Sequence, residues 1–145
     1  MISFRVPGIP QPGGSKRGFV TKAGRVAIVE DAKKNKPWRV SVQGAALAAH
    51  SGGPLSGPLA LRVVFVMPRP KGHFGSGRNA HVVRASAPRF PASKPDTTKL
   101  LRSTEDALSG VLWADDAQIV TQHVTKRYAH VGEGPGAWVE VEEVC

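Results

Sequence analysis

Ile2, Phe4 and Val6 alternate with Ser3 and Arg5, the period of two expected of a half-buried strand. Residues 7–14, PGIPQPGG, cannot extend it, because proline lacks the ladder donor and glycine favours turns. Apolar runs at 19–20 and 26–29 flank a turn at 21–24 and predict a hairpin. Asn35 stands as a candidate N-cap before Pro37, and Trp38, Val42, Ala45, Ala46 and Ala49 fall on one face of a helix over residues 37–50, closed by Gly52-Gly53-Pro54. Leu59, Leu61, Val63, Phe65 and Met67 form one face of a strand, whose other face is interrupted by Arg62. Residues 68–95 show no period and are rich in Pro, Gly, Ser and basic side chains, a loop of unusual length for a compact domain. A second helix, capped by Asp96 or Thr97, runs to about Leu108 with Leu100, Thr104, Ala107 and Leu108 inward and Gly110 ending it. Two strands follow, 118–128 and 137–144, joined by a Gly/Pro turn. The order βββαβαββ predicts an α+β fold, a small mixed sheet with two main helices packed against it.

Charge sharpens this picture. The net charge is +9 over 145 residues, with a pI near 10.3. Residues 1–95 hold sixteen Lys or Arg and two acids, Glu30 and Asp31; residues 96–145 hold four basic residues and nine acids. A basic body suits a polyanion such as nucleic acid. A local group of carboxylates suits a divalent metal, which takes hard oxygen ligands. The length fits one domain over 1–145. A single cysteine, Cys145, excludes a disulfide framework and a cysteine zinc site, and fits a reducing cytosol. No signal peptide, membrane span or basic amphipathic helix is seen, so no membrane partner is expected.

The acids Asp96, Glu105, Asp106, Asp115 and Asp116 fall in one run that begins Lys94-Pro95-Asp96, continues through Leu100, Asp106-Ala107-Leu108 and Gly110, and closes on Asp115-Asp116 with Gln118. In order and spacing this run resembles the signature KPDxDNLxKxxxDALxGxxxxDDxQ of the RusA family of Holliday-junction resolvases. Residues 6–10 with 14–17, 35–39, 57–59 and 67–71 also resemble family members, so the likeness extends over nearly the whole chain. The resemblance implies a RusA-like domain acting as a small dimeric nuclease, which uses Mg²⁺ (or Mn²⁺) and no organic cofactor to nick four-way DNA junctions symmetrically in recombination and repair. It implies a bacterial cytosolic location, with a phage or prophage as a possible source of the gene.

Carried over by position, Asp96 and Asp116 correspond to catalytic aspartates, and Arg102 stands where the family has a functional lysine. Asp115 is the best additional metal ligand. Two positions depart from the signature: the second aspartate is Thr98 and the following asparagine is Lys99. Thr98 could offer a hydroxyl. Glu105, on the same helix face, is about 10 Å further along and too distant for a simple exchange. The alternative reading is therefore a junction-binding protein with weakened catalysis. Glu105 reads as a solvated helix residue and Asp106 as structural.

Lys16, Arg17, Lys99, Arg102, Arg69 and Lys71 are the candidate DNA contacts, with Lys22, Arg25, Lys33, Lys34, Lys36, Arg39, Arg78, Arg84 and Arg89 adding to the basic surface. Phe74 and Phe90 are candidates for wedging at an opened junction, with loop packing slightly favoured for both.

Overall fold

The computed structural model describes residues 1–13, 16–30 and 35–145, with the side chains of 16–20 and 26–30 left undescribed. Its elements are β1 (Ile2–Pro7), β2 (Lys16–Val20), β3 (Val26–Glu30), α1 (Lys36–Ala49), β4 (Leu59–Met67), α2 (Thr97–Leu108), β5 (Ile119–Tyr128) and β6 (Gly136–Glu143). The predicted order and the α+β class both hold. The main sheet has the strand order β1-β6-β4-β5, while β2 and β3 pair apart from it as a hairpin. Strand β4 is central: it runs antiparallel to β6 and parallel to β5. The sheet is therefore mixed, and the crossover from β4 to β5 contains the 68–95 loop and α2.

Alternation decides which face is buried. Leu59, Leu61, Val63 and Phe65 of β4 meet Ala137, Val139 and Val141 of β6 and Val6 of β1 in one core. Helix α1 packs over β1, α2 packs over β5, and the helices touch each other. Trp38, Val42 and Ala46 bury from α1 and Leu100, Leu101, Ser103, Thr104, Ala107 and Leu108 from α2. Ala49, expected on the inner face of α1, is exposed. The Trp38 indole N–H donates to the Thr104 hydroxyl at 3.2 Å, and that hydroxyl donates to Leu100 O at 3.0 Å, so the polar pair between the helices is satisfied.

The proline-rich segment after β1 lies against α2. Gly13 N donates to Lys99 O at 2.9 Å, and the Ser103 hydroxyl donates to Gln11 O. A Cβ on Gly13 would stand 2.9 Å from Ser103 Cβ, so glycine is what permits this approach. Gly110, with φ of 85°, ends α2 as expected.

The 68–95 stretch is more ordered than its composition predicts. It contains short 3-10 turns at Lys71–His73 and Gly77–Asn79 and a bridge between Phe74 and Val83. Two of its arginines stitch it together: Arg69 donates to Pro88 O at 2.7 Å and Arg84 to Phe74 O at 2.6 Å. Among the described residues no helix is long and apolar enough to cross a membrane.

Candidate active site

Asp96 occupies the N-cap position of α2, yet its side chain makes no capping hydrogen bond. Its backbone carbonyl accepts from Leu100 N at 3.0 Å, which starts the helix without the carboxylate. The carboxylate is exposed and lies 3.9 Å from the Lys99 ammonium, a loose surface pair. The approach to Asp96 is fixed from β5, where Lys126 Nζ donates to Ser93 O at 2.8 Å and to Pro95 O at 2.9 Å. The charge of Lys126 is thus held beneath the turn that presents Asp96. The Lys94–Pro95 bond in that turn is cis.

Asp115 and Asp116 lie in the loop that follows α2. Gly110 N donates to Trp113 O at 2.6 Å, folding the chain back on the helix end. Asp115 caps a short 3-10 turn, Asp116–Gln118, by accepting from Ala117 N at 2.8 Å. Gln118 completes the cap: its Oε1 accepts from Ala114 N and Asp115 N at 2.9 and 3.0 Å. Its Nε2 donates to Leu55 O and Gly57 O, both at 3.0 Å, tying this loop to the entry of β4. The Gln of the signature is therefore a clamp. Asp116 Oδ1 accepts from the indole of the fully buried Trp113 at 2.8 Å, while the residue itself is exposed.

Glu105, read from sequence as solvated, is half-buried, and its Oε1 accepts from Gln122 Nε2 of β5. Burial pushes its carboxyl above the usual range, the Gln122 bond opposes this, and the charges of Asp116 and Asp106 raise it further. Glu105 is nine residues after Asp96, an axial rise of about 13 Å. The acids adjacent in sequence are spread along α2 and the loop beyond it. Among the described residues no three His, Cys, Asp or Glu side chains gather closely enough to hold a metal.

Thr98 and Arg102 are exposed on α2, and Lys99 is half-buried beside Asp96. Lys71 is exposed. Arg69 is occupied by the loop and by Tyr128, whose ring centroid lies 4.3 Å from its guanidinium. The side chains of Lys16 and Arg17, and all of Lys33 and Lys34, lie outside the described residues. Phe74 is half-buried, whereas Phe90 is 63% exposed, with Arg89 over its ring at 5.3 Å. Sequence reasoning missed Trp113, Lys126 and Gln122. For Trp113 a signal exists: an aromatic donor three residues before an aspartate, in a loop reversed by glycine.

Residues 7–142 match the family described as Endodeoxyribonuclease RusA. The chain belongs to the RusA family. It is also similar to a Bacillus subtilis (strain 168) protein described as Uncharacterized protein YqaN, with 31% identity over 146 residues covering 99% of this chain and 96% of that protein. The match spans Asp96, Asp116, Gln118 and Lys126.

Proposed function

We propose that this chain is a metal-dependent endodeoxyribonuclease that resolves Holliday junctions by paired symmetric nicks, acting as a homodimer with Mg²⁺ as its metal. The observation that carries this reading is Asp96, an exposed carboxylate at a helix N-cap that takes no part in capping, on a turn fixed by Lys126.

The donor chemistry fits magnesium. Mg²⁺ takes one or two protein carboxylates and completes its shell with water and phosphate, so a cluster of three acids in the free protein is not required. Asp96 at the start of α2, or Asp116 beyond its end with Asp115 as a further donor through the oxygen that does not cap, would hold it; the two ends of the helix do not share one ion in this conformation. When bound, the ion would supply charge neutralisation at the phosphate and a more acidic water. The rest is done by side chains. Trp113 holds one oxygen of Asp116, which leaves the other for ligation. Lys99 and Arg102 offer cations for a phosphate along the exposed side of α2, and Lys71 extends the basic surface. Branch recognition by two subunits would follow from shape and from spacing fixed by their symmetry.

The alternative is a junction-binding protein with weakened catalysis. Thr98, exposed where the family signature has its second aspartate, favours it. One experiment separates the two: incubation of the protein with a synthetic four-way junction and with linear duplex, in Mg²⁺ and in EDTA, followed by denaturing electrophoresis. Paired nicks on the junction alone, absent in EDTA, are expected. Junction binding without nicks, restored by Thr98→Asp, would transfer the conclusion to the alternative.

A further inference from the structure

A cleft of about 470 Å³ opens directly beside the Asp96 turn, within the size range of small-ligand sites. One wall is the segment around Pro10 and Pro12, another is Met67 with Tyr128, and the third is Pro91 leading into Lys94 and Pro95. Each wall is anchored. The first is held to α2 through Gly13 N and Gln11 O. The second belongs to the central sheet. The third is held by Lys126. The cleft is therefore formed before any ligand arrives.

Its chemistry is that of a slot for a flat ring. Proline rings, and the part of the Tyr128 ring not covered by Arg69 at 4.3 Å and His73 at 5.4 Å, offer rigid apolar surface with little rotamer freedom to lose. The Gln11 side chain can present both a donor and an acceptor to a ring edge. The cations Lys94 and Lys126 line the cleft, Arg69 stacks on Tyr128, and among the described residues that line it none is acidic. Such a site favours a ring carried on an anionic backbone. Its position sets the register: Lys94 and Pro95 are lining residues, and the next residue is Asp96. A nucleotide whose phosphate reaches Asp96 can place its own base, or that of its neighbour, in the cleft.

We infer that this cleft receives one unstacked nucleobase of branched DNA whose backbone passes the Asp96 turn. The inference rests on the branched-DNA reading above. Bases inside a duplex have both faces covered, whereas a branch point offers a base whose unstacking costs little. The cleft would then contribute to recognition of the branch and to the choice of the phosphate cut.

The test measures binding in EDTA, where the DNA stays intact. The wild-type protein is titrated with a four-way junction, a linear duplex, and a set of junctions each carrying an abasic site at successive positions around the branch point. The expected result is a roughly 5- to 150-fold loss of affinity at one position, the range of a base–aromatic stack. Tyr128→Ala should lose a similar factor on the intact junction and become insensitive to the abasic site, while Tyr128→Phe keeps both. Equal affinity of the wild-type protein for every abasic junction would overturn the inference without any variant having to fold. So would a Tyr128→Ala protein as sensitive to the abasic site as the wild type. Equal affinity for intact junction and duplex would overturn the branched-DNA reading itself, and this inference with it.

Discussion

The indole N–H of Trp113 donates to Oδ1 of Asp116 across 2.8 Å, from a fully buried ring to an exposed residue. The bond couples the core to the loop after α2, so the carboxylate is aimed by packing. Groups that orient a metal ligand typically alter metal affinity or activity by 10–100-fold when removed. Trp113→Phe keeps most of the buried ring and removes the donor. It should raise the Mg²⁺ concentration needed for half-maximal nicking by about 10- to 100-fold, with a smaller effect on junction affinity measured in EDTA. Asp116→Asn should abolish nicking outright. A Trp113→Phe protein with an unchanged Mg²⁺ requirement would show that Asp116 is not aimed by this bond.

Lys126 does for Asp96 what Trp113 does for Asp116, through the carbonyls of Ser93 and Pro95. Lys126→Met preserves the aliphatic stem and leaves both carbonyls without the ammonium. The loss should be about 0.5–1.5 kcal/mol of stability, the net worth of a typical hydrogen bond, because Ser93 O is exposed and Pro95 O only partly buried, so water can take the ammonium's place; denaturant unfolding reads it. Nicking should fall by more than junction binding does, and Lys126→Arg should recover part of it. If Lys126→Met lost binding and nicking equally, the lysine would be a plain structural tie.

The fold was legible where local pattern and long-range packing agree. The alternation in β4 and the stripe Leu100, Thr104, Ala107 and Leu108 in α2 each name a buried face, and all of these residues are buried. The same stripe logic placed Ala49 inward, but periodicity defines a face and says nothing of how far the covering element reaches. The site was legible only in part. Asp96 and Asp116 could be named from the run that contains them. That Glu105 would be half-buried against Gln122, 17 residues away, depends on the packing of α2 on β5. Lys126 meets Pro95 across 31 residues. Neither pairing has a local period, because both follow from α2 lying over β5.

Glu105 gives a pH signature. Its folded-state pKa is raised, chiefly by burial and then by the charges of Asp116 and Asp106. A raised carboxyl favours the fold when protonated. Its contribution is fully present below the unfolded value near 4.5 and is lost as pH rises through the folded value. At neutral pH the ionised Glu105 therefore weighs against the fold, and Glu105→Gln should be more stable than the wild type there. The gap should close as the pH is lowered toward 4.5 and below. Thermal unfolding of both proteins across pH 4 to 8, at fixed ionic strength, checks this. A Glu105→Gln protein that is less stable at pH 7 would mean that the Gln122 bond outweighs burial and the neighbouring acids.

The basic residues Lys71 and Arg69 differ in what already engages them. Each phosphate neutralised on B-DNA contributes about 0.9 to the slope of log K against log salt. Lys71 is exposed on its 3-10 turn, so Lys71→Ala should flatten the slope by about 1 while leaving thermal stability unchanged. Arg69 differs: its guanidinium holds Pro88 O at 2.7 Å and stacks on Tyr128. Arg69→Ala should therefore lower stability and loosen the loop, with a loss of affinity that persists at high salt. Salt titrations of junction binding by the two variants distinguish a charge facing the DNA from a charge that shapes the surface. Parallel slopes for the two variants would mean that Arg69 meets phosphate as directly as Lys71 does.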